Sequence, residues 1–136
     1  NKHLSKLNHR YQLKHRQDIP LELDVIDLFQ ADQVRSINNL SGGESFLVSL
    51  ALALGLSSMS SQNIKIGSLF LDEGFGSLDE DSLELAISTL SELKRDEEKL
   101  IGVISHVPAI RERITCQITV TSMPGGVSKL EGPGVN

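Results

Sequence analysis

The sequence predicts an α/β domain with a mostly parallel sheet, flanking helices and peripheral β-hairpins. The main evidence is a strand, helix and strand pattern, with apolar runs at residues 66–73 and 100–105 on either side of a helical segment. The apolar face of that helix recurs at three- and four-residue spacing: Leu83, Ala86, Ile87, Leu90 and Leu93. Since such units are right-handed in nearly all known cases, both buried strands should end at the same edge of the sheet.

The first residues predict a short helix followed by a hairpin. Leu4 and Leu7 have helical spacing, whereas polar and apolar residues alternate over residues 10–16 and again over 21–26, on either side of Pro20. A polar segment at 31–39 follows. A second hairpin is predicted near the C-terminus, with strands at 117–122 and 127–130 and a turn at 124–126.

Two further helices are expected. The helix that follows Ser41 is apolar nearly all round, which predicts that it is buried. Pro108 suits the first turn of a short helix that ends at Arg113.

The stretch Ser41-Gly42-Gly43-Glu44 predicts a helix start that binds an anion. Ser41 and Glu44 have the spacing of a capping box. Gly42 and Gly43 carry no side chain that would block the exposed N–H groups of the first turn, and phosphate is a typical ligand of such a site. The alternative is a helix start without a ligand.

Acidic residues end the first buried strand, and a histidine follows the second. Asp72 and Glu73 should emerge with His106 along one edge of the sheet, where ligands of open α/β sheets bind. Two carboxylates there suit a metal ion and an activated water. Each residue alone also has an ordinary explanation, either a solvated strand end or a histidine with a local partner. The combination in this order favours a catalytic site.

The three motifs resemble the signature motif, Walker B strand and switch histidine of the ABC-type ATPases, whose heads have a P-loop NTPase-like fold. The resemblance is closest to the SbcC family, because residues 72–79, Asp-Glu-Gly-Phe-Gly-Ser-Leu-Asp, are similar to its Walker B motif and D-loop. Residues 10–13, 43–54 and 102–107 are similar as well.

The resemblance implies a role for each matching residue. Asp72 would hold Mg²⁺ and Glu73 would activate the attacking water. His106 would contact the γ-phosphate of ATP. The resemblance also implies that two motifs bind nucleotide: the signature motif, which would contact ATP bound to the opposite head, and the D-loop at the subunit boundary. Their residues are Ser41, Gly42, Gly43, Glu44, Ser77 and Asp79.

The sequence contains no G-x-x-x-x-G-K-[S/T] loop, which holds nucleotide phosphates in this class. In the SbcC family that Walker A loop lies in an N-terminal segment, separated by a long coiled coil. The resemblance therefore implies a C-terminal half-head, with residues 1–9 as the end of the coiled-coil arm and residues 10–136 as the half-domain. A start at Asn1 rather than Met agrees with a segment of a longer protein.

The implied partners are the N-terminal half-head of the same protein, a second SbcC copy, an SbcD-type nuclease subunit and double-stranded DNA. The implied cofactors are ATP and Mg²⁺, and the implied location is the cytoplasm, at the nucleoid. No nuclease site is expected in this chain. Two other classes stay open: an SMC-type chromosome-organising head, and the nucleotide-binding domain of an ABC transporter. Transporters usually carry Pro-Thr where this chain has Gly74-Phe75.

Composition adds few constraints. The 136 residues carry a net charge of −5, and no apolar run reaches the ~20 residues that a membrane span needs. The single Cys116 permits no internal disulfide and is expected to be half-buried at a strand start. Arg35 is either a solvent or interface residue or, as commonly happens with surface arginines, a partner in a structural salt bridge. The first 17 residues form a basic segment that is either a solvated face or a DNA contact; its basic residues are Lys2, Lys6, Arg10, Lys14 and Arg16.

Overall fold

The computed structural model describes residues 1–58, 67–97 and 100–135. The chain forms two compact units, Asn1–Ser105 and His106–Asn136. Ile66, the predicted first residue of the Walker B strand, lies outside the described residues, as does most of the loop before it.

The first unit begins with a short helix and a three-stranded antiparallel sheet. Helix α1 (Lys2–Leu7) leads to β1 (Tyr11–His15), β2 (Leu23–Asp27) and β3 (Gln33–Ser36), which lie in the order β1-β2-β3. The predicted helix and hairpin are confirmed. Strand β3 is not predicted from the sequence, because it is polar and half-exposed and lacks the alternation that marks a strand.

Helix α2 (Gly42–Ser58) follows a 3₁₀ turn. It packs against α1 and against the turn after the Walker B strand. The expectation that it is buried on all sides is wrong, since the side of Leu52 and Leu56 is open to solvent and Leu56 is 65% exposed. Composition alone does not indicate which faces of an apolar helix have a neighbour.

The strand, helix and strand unit is present. Strand β4 (Ser68–Asp72) pairs in parallel with β5 (Leu100–Ile104), and α3 (Glu80–Glu97) connects them. The expectation that these strands are buried is wrong, because Phe70, Leu100 and Ile104 are each more than half exposed. A parallel strand becomes buried only when both faces are covered and both edges are paired, and in the described part of the chain β4 and β5 pair only with each other.

The core of the first unit lies where α1 meets α2 and α3. Leu4 and Leu7 of α1 are almost fully buried, so the helix that the resemblance assigns to the end of the coiled-coil arm is anchored in the head. Burying a leucine side chain stabilises a fold by about 1.5–3 kcal/mol. The α2 and α3 residues of this core are Leu47, Leu50, Leu54, Leu83, Ala86 and Leu90.

The second unit contains α4 (Pro108–Arg113) and a hairpin of β6 (Thr119–Met123) and β7 (Val127–Glu131). Both predicted elements are confirmed. Gly125 and Gly126 in the turn have φ angles of +89° and +77°, which glycine adopts without strain. Cys116 is exposed and lies before β6, so the prediction that it is half-buried is wrong. Within the described ranges, no helix combines the length and apolar character that a membrane span requires.

Three of the five basic residues in the basic segment pair with acidic side chains. Arg16 pairs with Asp18 and Glu22, and Lys6 lies 3.2 Å from a carboxylate oxygen of Glu92. Arg10 makes three hydrogen bonds of 2.7–3.1 Å to Asp27. These contacts reduce the positive charge available to DNA. They favour the solvated-face interpretation for Lys6 and Arg16, whereas Arg10 is bound to a buried carboxylate.

The Asp27 carboxylate is the buried charge of the antiparallel sheet. Its residue is fully buried and contacts the guanidinium groups of both Arg10 and Arg35, which confirms the salt-bridge interpretation of Arg35. The hydrogen bonds from Arg10 lower the pKa of Asp27, although burial opposes this shift. The charged form is therefore favoured in the folded protein.

We expect Asp27→Asn to lower the melting temperature by several degrees at neutral pH, because two arginines lose a charged partner. The lowered pKa means that the stabilisation by Asp27 is present above the ordinary aspartate pKa of about 3.9 and is lost as the pH falls through the lowered value. The melting-temperature difference between variant and wild type should therefore shrink in acid. Asp18→Asn, which changes an exposed ion pair, is the control and should have little effect at any pH. Equal melting temperatures for both variants would contradict the expectation.

Candidate functional site

The predicted capping box is formed at the start of α2. The N–H group of Ser41 donates to Glu44 Oε2 at 2.9 Å, and the N–H group of Glu44 donates to Ser41 Oγ at 3.3 Å. The first N–H groups of a helix have no acceptor within the helix. The capping box uses the donor of Glu44, whereas the N–H groups of Gly42 and Gly43 have no acceptor within the helix and no side chain on their own residues beside them.

The second oxygen of Glu44 is also used inside the protein. Tyr11 donates its hydroxyl proton to Glu44 Oε1 at 2.6 Å, and a guanidinium nitrogen of Arg10 lies 3.7 Å from the same oxygen. Burial works against the charged form, but the hydrogen bonds from Tyr11 and Ser41 outweigh it, so the pKa of Glu44 lies below its usual value. Both oxygens of Glu44 are thus engaged in holding the helix start.

The D-loop packs directly on the signature glycines of the same chain. A Cβ atom on Gly43 would lie 2.7 Å from the carbonyl oxygen of Ser77, and one on Gly42 would lie 3.6 Å from Ser77 Cβ. Ser77 is also fixed locally, because its hydroxyl group donates to the carbonyl oxygen of Gly74 at 2.7 Å. Only a glycine fits at position 43 without displacing this turn.

An aromatic contact holds the Walker B turn against α2. The rings of Phe46 and Phe75 meet edge to face with centroids 4.7 Å apart. Gly74 has a φ angle of +93°, and a Cβ atom there would overlap the Phe46 ring. The glycine is therefore needed both for its backbone angle and for space.

Asp72 and Glu73 lie at the carboxyl end of β4, beside the end of β5. Asp72 pairs with Ile104 in the strand register, and the N–H group of Glu73 donates to the carbonyl oxygen of Ile104 at 2.9 Å. Both acidic residues are exposed. Glu73 has a φ angle of +58°, which is uncommon for a residue other than glycine and concentrates at functional sites.

The other two predicted site residues have different settings. Asp79 caps α3, since its carboxylate accepts hydrogen bonds from the N–H group and the hydroxyl group of Ser82, and these lower its pKa. His106 follows β5, is exposed, and is the first residue of the second unit. The structure thus brings Ser41–Glu44 together with Ser77, and it sets Asp72 and Glu73 together at one strand end.

The side chains and backbone groups of this region suit a nucleotide with magnesium. Gly42 and Gly43 supply N–H donors without an acceptor in the helix, at the start of a 17-residue helix, which suits a phosphate. Asp72 offers one exposed carboxylate at a strand end, which is what Mg²⁺ bound to phosphates takes from a protein. No group of three or more metal-binding side chains occurs among the described residues. The helix start thus suits a phosphate, and the strand end suits a divalent metal ion.

A family model described as "SbcC/RAD50-like, Walker B motif" matches residues 10–92. The chain belongs to this family. The matched range contains the signature stretch, the strand that ends in Asp72 and Glu73, and the D-loop, so it covers every predicted site residue except His106.

The similarity to two individual proteins agrees with this family assignment. The SbcC subunit of nuclease SbcCD from Rhodobacter capsulatus is 48% identical over 137 residues, which cover 99% of this chain and 11% of the relative. The protein of the same name from Pseudomonas aeruginosa is 48% identical over 98% of this chain and 11% of its own length. The chain thus spans about 11% of the length of these relatives.

Solved structures show the same fold. The SMC head domain from Thermotoga maritima has a TM-score of 0.64 and 25% identity, covering 99% of this chain and 46% of its own. The Smc head domain with a coiled coil and joint from Pyrococcus yayanosii has a TM-score of 0.73 and 20% identity, covering 96% of this chain and 25% of its own. The α/β fold of an ATPase head is therefore confirmed.

The sequence patterns do not indicate the role of several residues that hold this SbcC-type site in place. The alternating pattern places Tyr11 in a strand and gives Asp27 no role, and Phe46 reads only as an apolar helix residue. The spacing of these residues does not indicate their role, because Tyr11 and Asp27 contact partners 8 to 33 positions away and Phe46 contacts the turn after β4. The role of each residue is visible in its tertiary contacts.

The two signature glycines should respond differently to alanine. We expect Gly43→Ala to lower the free energy of unfolding by about 1–3 kcal/mol, because the added methyl group meets the Ser77 carbonyl oxygen at 2.7 Å. Gly42→Ala makes only ordinary contacts and should be neutral or up to ~1 kcal/mol more stable, since alanine favours the helix. Denaturant unfolding of the two variants provides the measurement. Equal losses would show that the D-loop does not constrain this turn.

Proposed function

We propose that this chain is the C-terminal half of an ATP-hydrolysing head of the SbcC type. The observation that supports this most is the contact between the signature turn and the D-loop: the capped helix start of Ser41–Glu44 lies against Ser77, in the segment that directly follows Asp72 and Glu73. An anion-binding helix start and an acidic strand end on one unit are the two surfaces that a shared nucleotide site requires.

Each residue has a proposed task. Asp72 holds Mg²⁺, which supplies charge neutralisation to the phosphates, and Glu73 orients and deprotonates the attacking water. Backbone N–H groups of Gly42 and Gly43, with the Ser41 hydroxyl group, bind the γ-phosphate on the partner head. Both Glu44 oxygens are engaged internally, so Glu44 acts on the nucleotide only by holding this turn. His106 contacts the γ-phosphate.

Nucleotide binding is divided between subunits in this proposal. The Walker A half-head of the same protein binds ATP next to Asp72 and Glu73, while the signature turn of a second SbcC copy closes over it. Asp79 and Ser77 lie at the boundary of the two heads. ATP therefore joins the heads, and hydrolysis releases them, as expected of a ligand that binds only the closed state.

The proposed output is control of an SbcD-type nuclease that acts on double-stranded DNA ends and hairpins, at the nucleoid in the cytoplasm. The relatives, which are named as SbcC subunits of nuclease SbcCD, support this choice. An SMC-type chromosome-organising head is the second candidate, because the fold is shared with SMC heads. Copurification of the full-length protein with a nuclease, rather than with kleisin-like partners, distinguishes the two.

The lack of a Walker A loop leads to a first test of this function. We expect the chain alone to bind ATP weakly and not to hydrolyse it, because the loop that holds the phosphates is not in its sequence. Addition of the N-terminal half-head should restore both activities in a phosphate-release assay. Turnover by the chain alone would contradict the half-head assignment, and a Glu73→Gln chain is the control for contaminating ATPases.

A second test separates the two surfaces of the site in the full-length protein. Glu73→Gln should lower turnover by about 10²–10⁴-fold and accumulate the ATP-bound dimer, because an amide cannot accept the proton while the binding contacts remain. Ser41→Arg should instead prevent dimerisation, because its side chain fills the anion site, while each head still binds nucleotide. Gel filtration with ATP and an equilibrium nucleotide-binding assay give the two readouts. If both variants behaved alike, the division of the site between subunits would be wrong.

A further inference from the structure

A chain of hydrogen bonds runs from the antiparallel sheet to the signature turn. It starts at Asp27, which accepts a hydrogen bond from Arg35. The same Arg35 nitrogen donates to the Tyr11 hydroxyl oxygen at 3.3 Å, and that hydroxyl group donates to Glu44 Oε1 at 2.6 Å. The other oxygen of Glu44 accepts the N–H group of Ser41 at 2.9 Å.

The members of this chain of hydrogen bonds have little freedom to move. Tyr11 is 2% exposed, and two guanidinium groups lie over its ring, with their central carbons 5.0 Å (Arg10) and 5.8 Å (Arg35) from the ring centroid. Cations over an aromatic face are attracted to it. Both guanidinium groups are in turn held by the buried carboxylate of Asp27. The direction of the Tyr11 hydroxyl group is therefore set by the sheet.

A capping box does not require this additional bond. Ser41 and Glu44 satisfy each other's N–H groups with one glutamate oxygen, which leaves the second oxygen free for other partners. Here the second oxygen is bound by Tyr11, which prevents the carboxylate from rotating away. Ser41 Oγ accepts from the N–H group of Glu44, so the Ser41 hydroxyl group keeps its proton for a further acceptor. The N–H groups of Gly42 and Gly43, in the first turn, have no acceptor within the helix.

We propose that Tyr11 is a positioning residue for the signature turn, held in place by Arg35 and Asp27, and that it acts through Glu44. The sheet then orients the donors of Ser41, Gly42 and Gly43 before the partner head arrives, so that little ordering is required when the heads close. This role deepens the proposed function and rests on the assignment of these donors to the partner's nucleotide.

The test is Tyr11→Phe in the full-length protein, which removes one oxygen and keeps the ring. Because the variant loses the hydrogen bond that holds the Glu44 carboxylate, we expect ATP-dependent dimerisation to weaken by at least about tenfold in analytical ultracentrifugation. Nucleotide binding by each separate head should not change. Amide hydrogen exchange at residues 41–46 should be faster than in wild type without any nucleotide.

Arg16→Gln is the matched control. Arg16 lies just beyond β1, next to the hairpin that carries Tyr11, and makes its ion pairs with Asp18 and Glu22, away from the signature turn. This variant should dimerise and exchange like wild type. If it weakened dimerisation as much as Tyr11→Phe does, general loosening of the hairpin would explain both results and the positioning role would be wrong.

A double-mutant cycle with Glu44→Gln tests the route of the effect. Glutamine also forms a capping box but lacks the charge that receives the Tyr11 hydrogen bond. If Tyr11 acts through Glu44, adding Tyr11→Phe to Glu44→Gln should cause little further loss of dimerisation. Additive losses would overturn the proposal.

The remaining outcomes separate the two proposals. If wild type dimerises on ATP and Tyr11→Phe does so with the same affinity and the same exchange at residues 41–46, the positioning role is wrong and the proposed function stands. If wild type itself does not dimerise on ATP, the proposed function fails and this inference fails with it.

Discussion

The two hydrogen bonds of the Glu44 carboxylate are the interactions on which the arrangement of the first unit depends. One of its oxygens caps α2 through Ser41, and the other ties that helix to Tyr11 of the antiparallel sheet. The helix start in turn sets Gly43 against Ser77, which fixes the turn that follows Asp72 and Glu73. A single side chain thus links the sheet to the start of α2, and through Gly43 and Ser77 to the acidic strand end.

Buried and partly buried charges hold Tyr11 in place. The buried Asp27 draws Arg10 and Arg35 inward, and these two guanidinium groups lie over the ring of Tyr11. Removing one partner of a buried ionic cluster is costly because the remaining charge stays desolvated. Part of the basic segment that could form a DNA-binding face is therefore committed to the interior of the head.

Several apolar residues of the first unit are exposed, and the half-head proposal explains why. Phe70 of β4 and Leu100 of β5 are more than half exposed, although parallel strands are normally buried on both faces. Helix α2 leaves Leu56 uncovered in the same way. Since the chain spans about 11% of its relatives' length, the proposed N-terminal half-head is the partner that would cover these residues.

The sequence by itself determined the elements and the motifs. Periodicity located α3 and the two hairpins, and the short-range pattern of Ser41 and Glu44 predicted a capping box because both partners lie within one helical turn. The handedness of the connection placed Asp72 and Glu73 at the edge of a parallel sheet. The polar strand β3 escaped prediction, since it has no alternation to detect.

Only the tertiary structure decided which residues support those motifs and which surfaces are covered. The contacts of Tyr11 with Glu44 and of Gly43 with Ser77 join positions more than thirty residues apart, and no local pattern encodes such a pairing. Sequence overestimates the burial of β4, β5 and α2, because hydrophobic composition indicates that a residue favours a neighbour but not whether the chain supplies one. The sequence therefore specified the chemistry of the site, whereas packing specified how it is held.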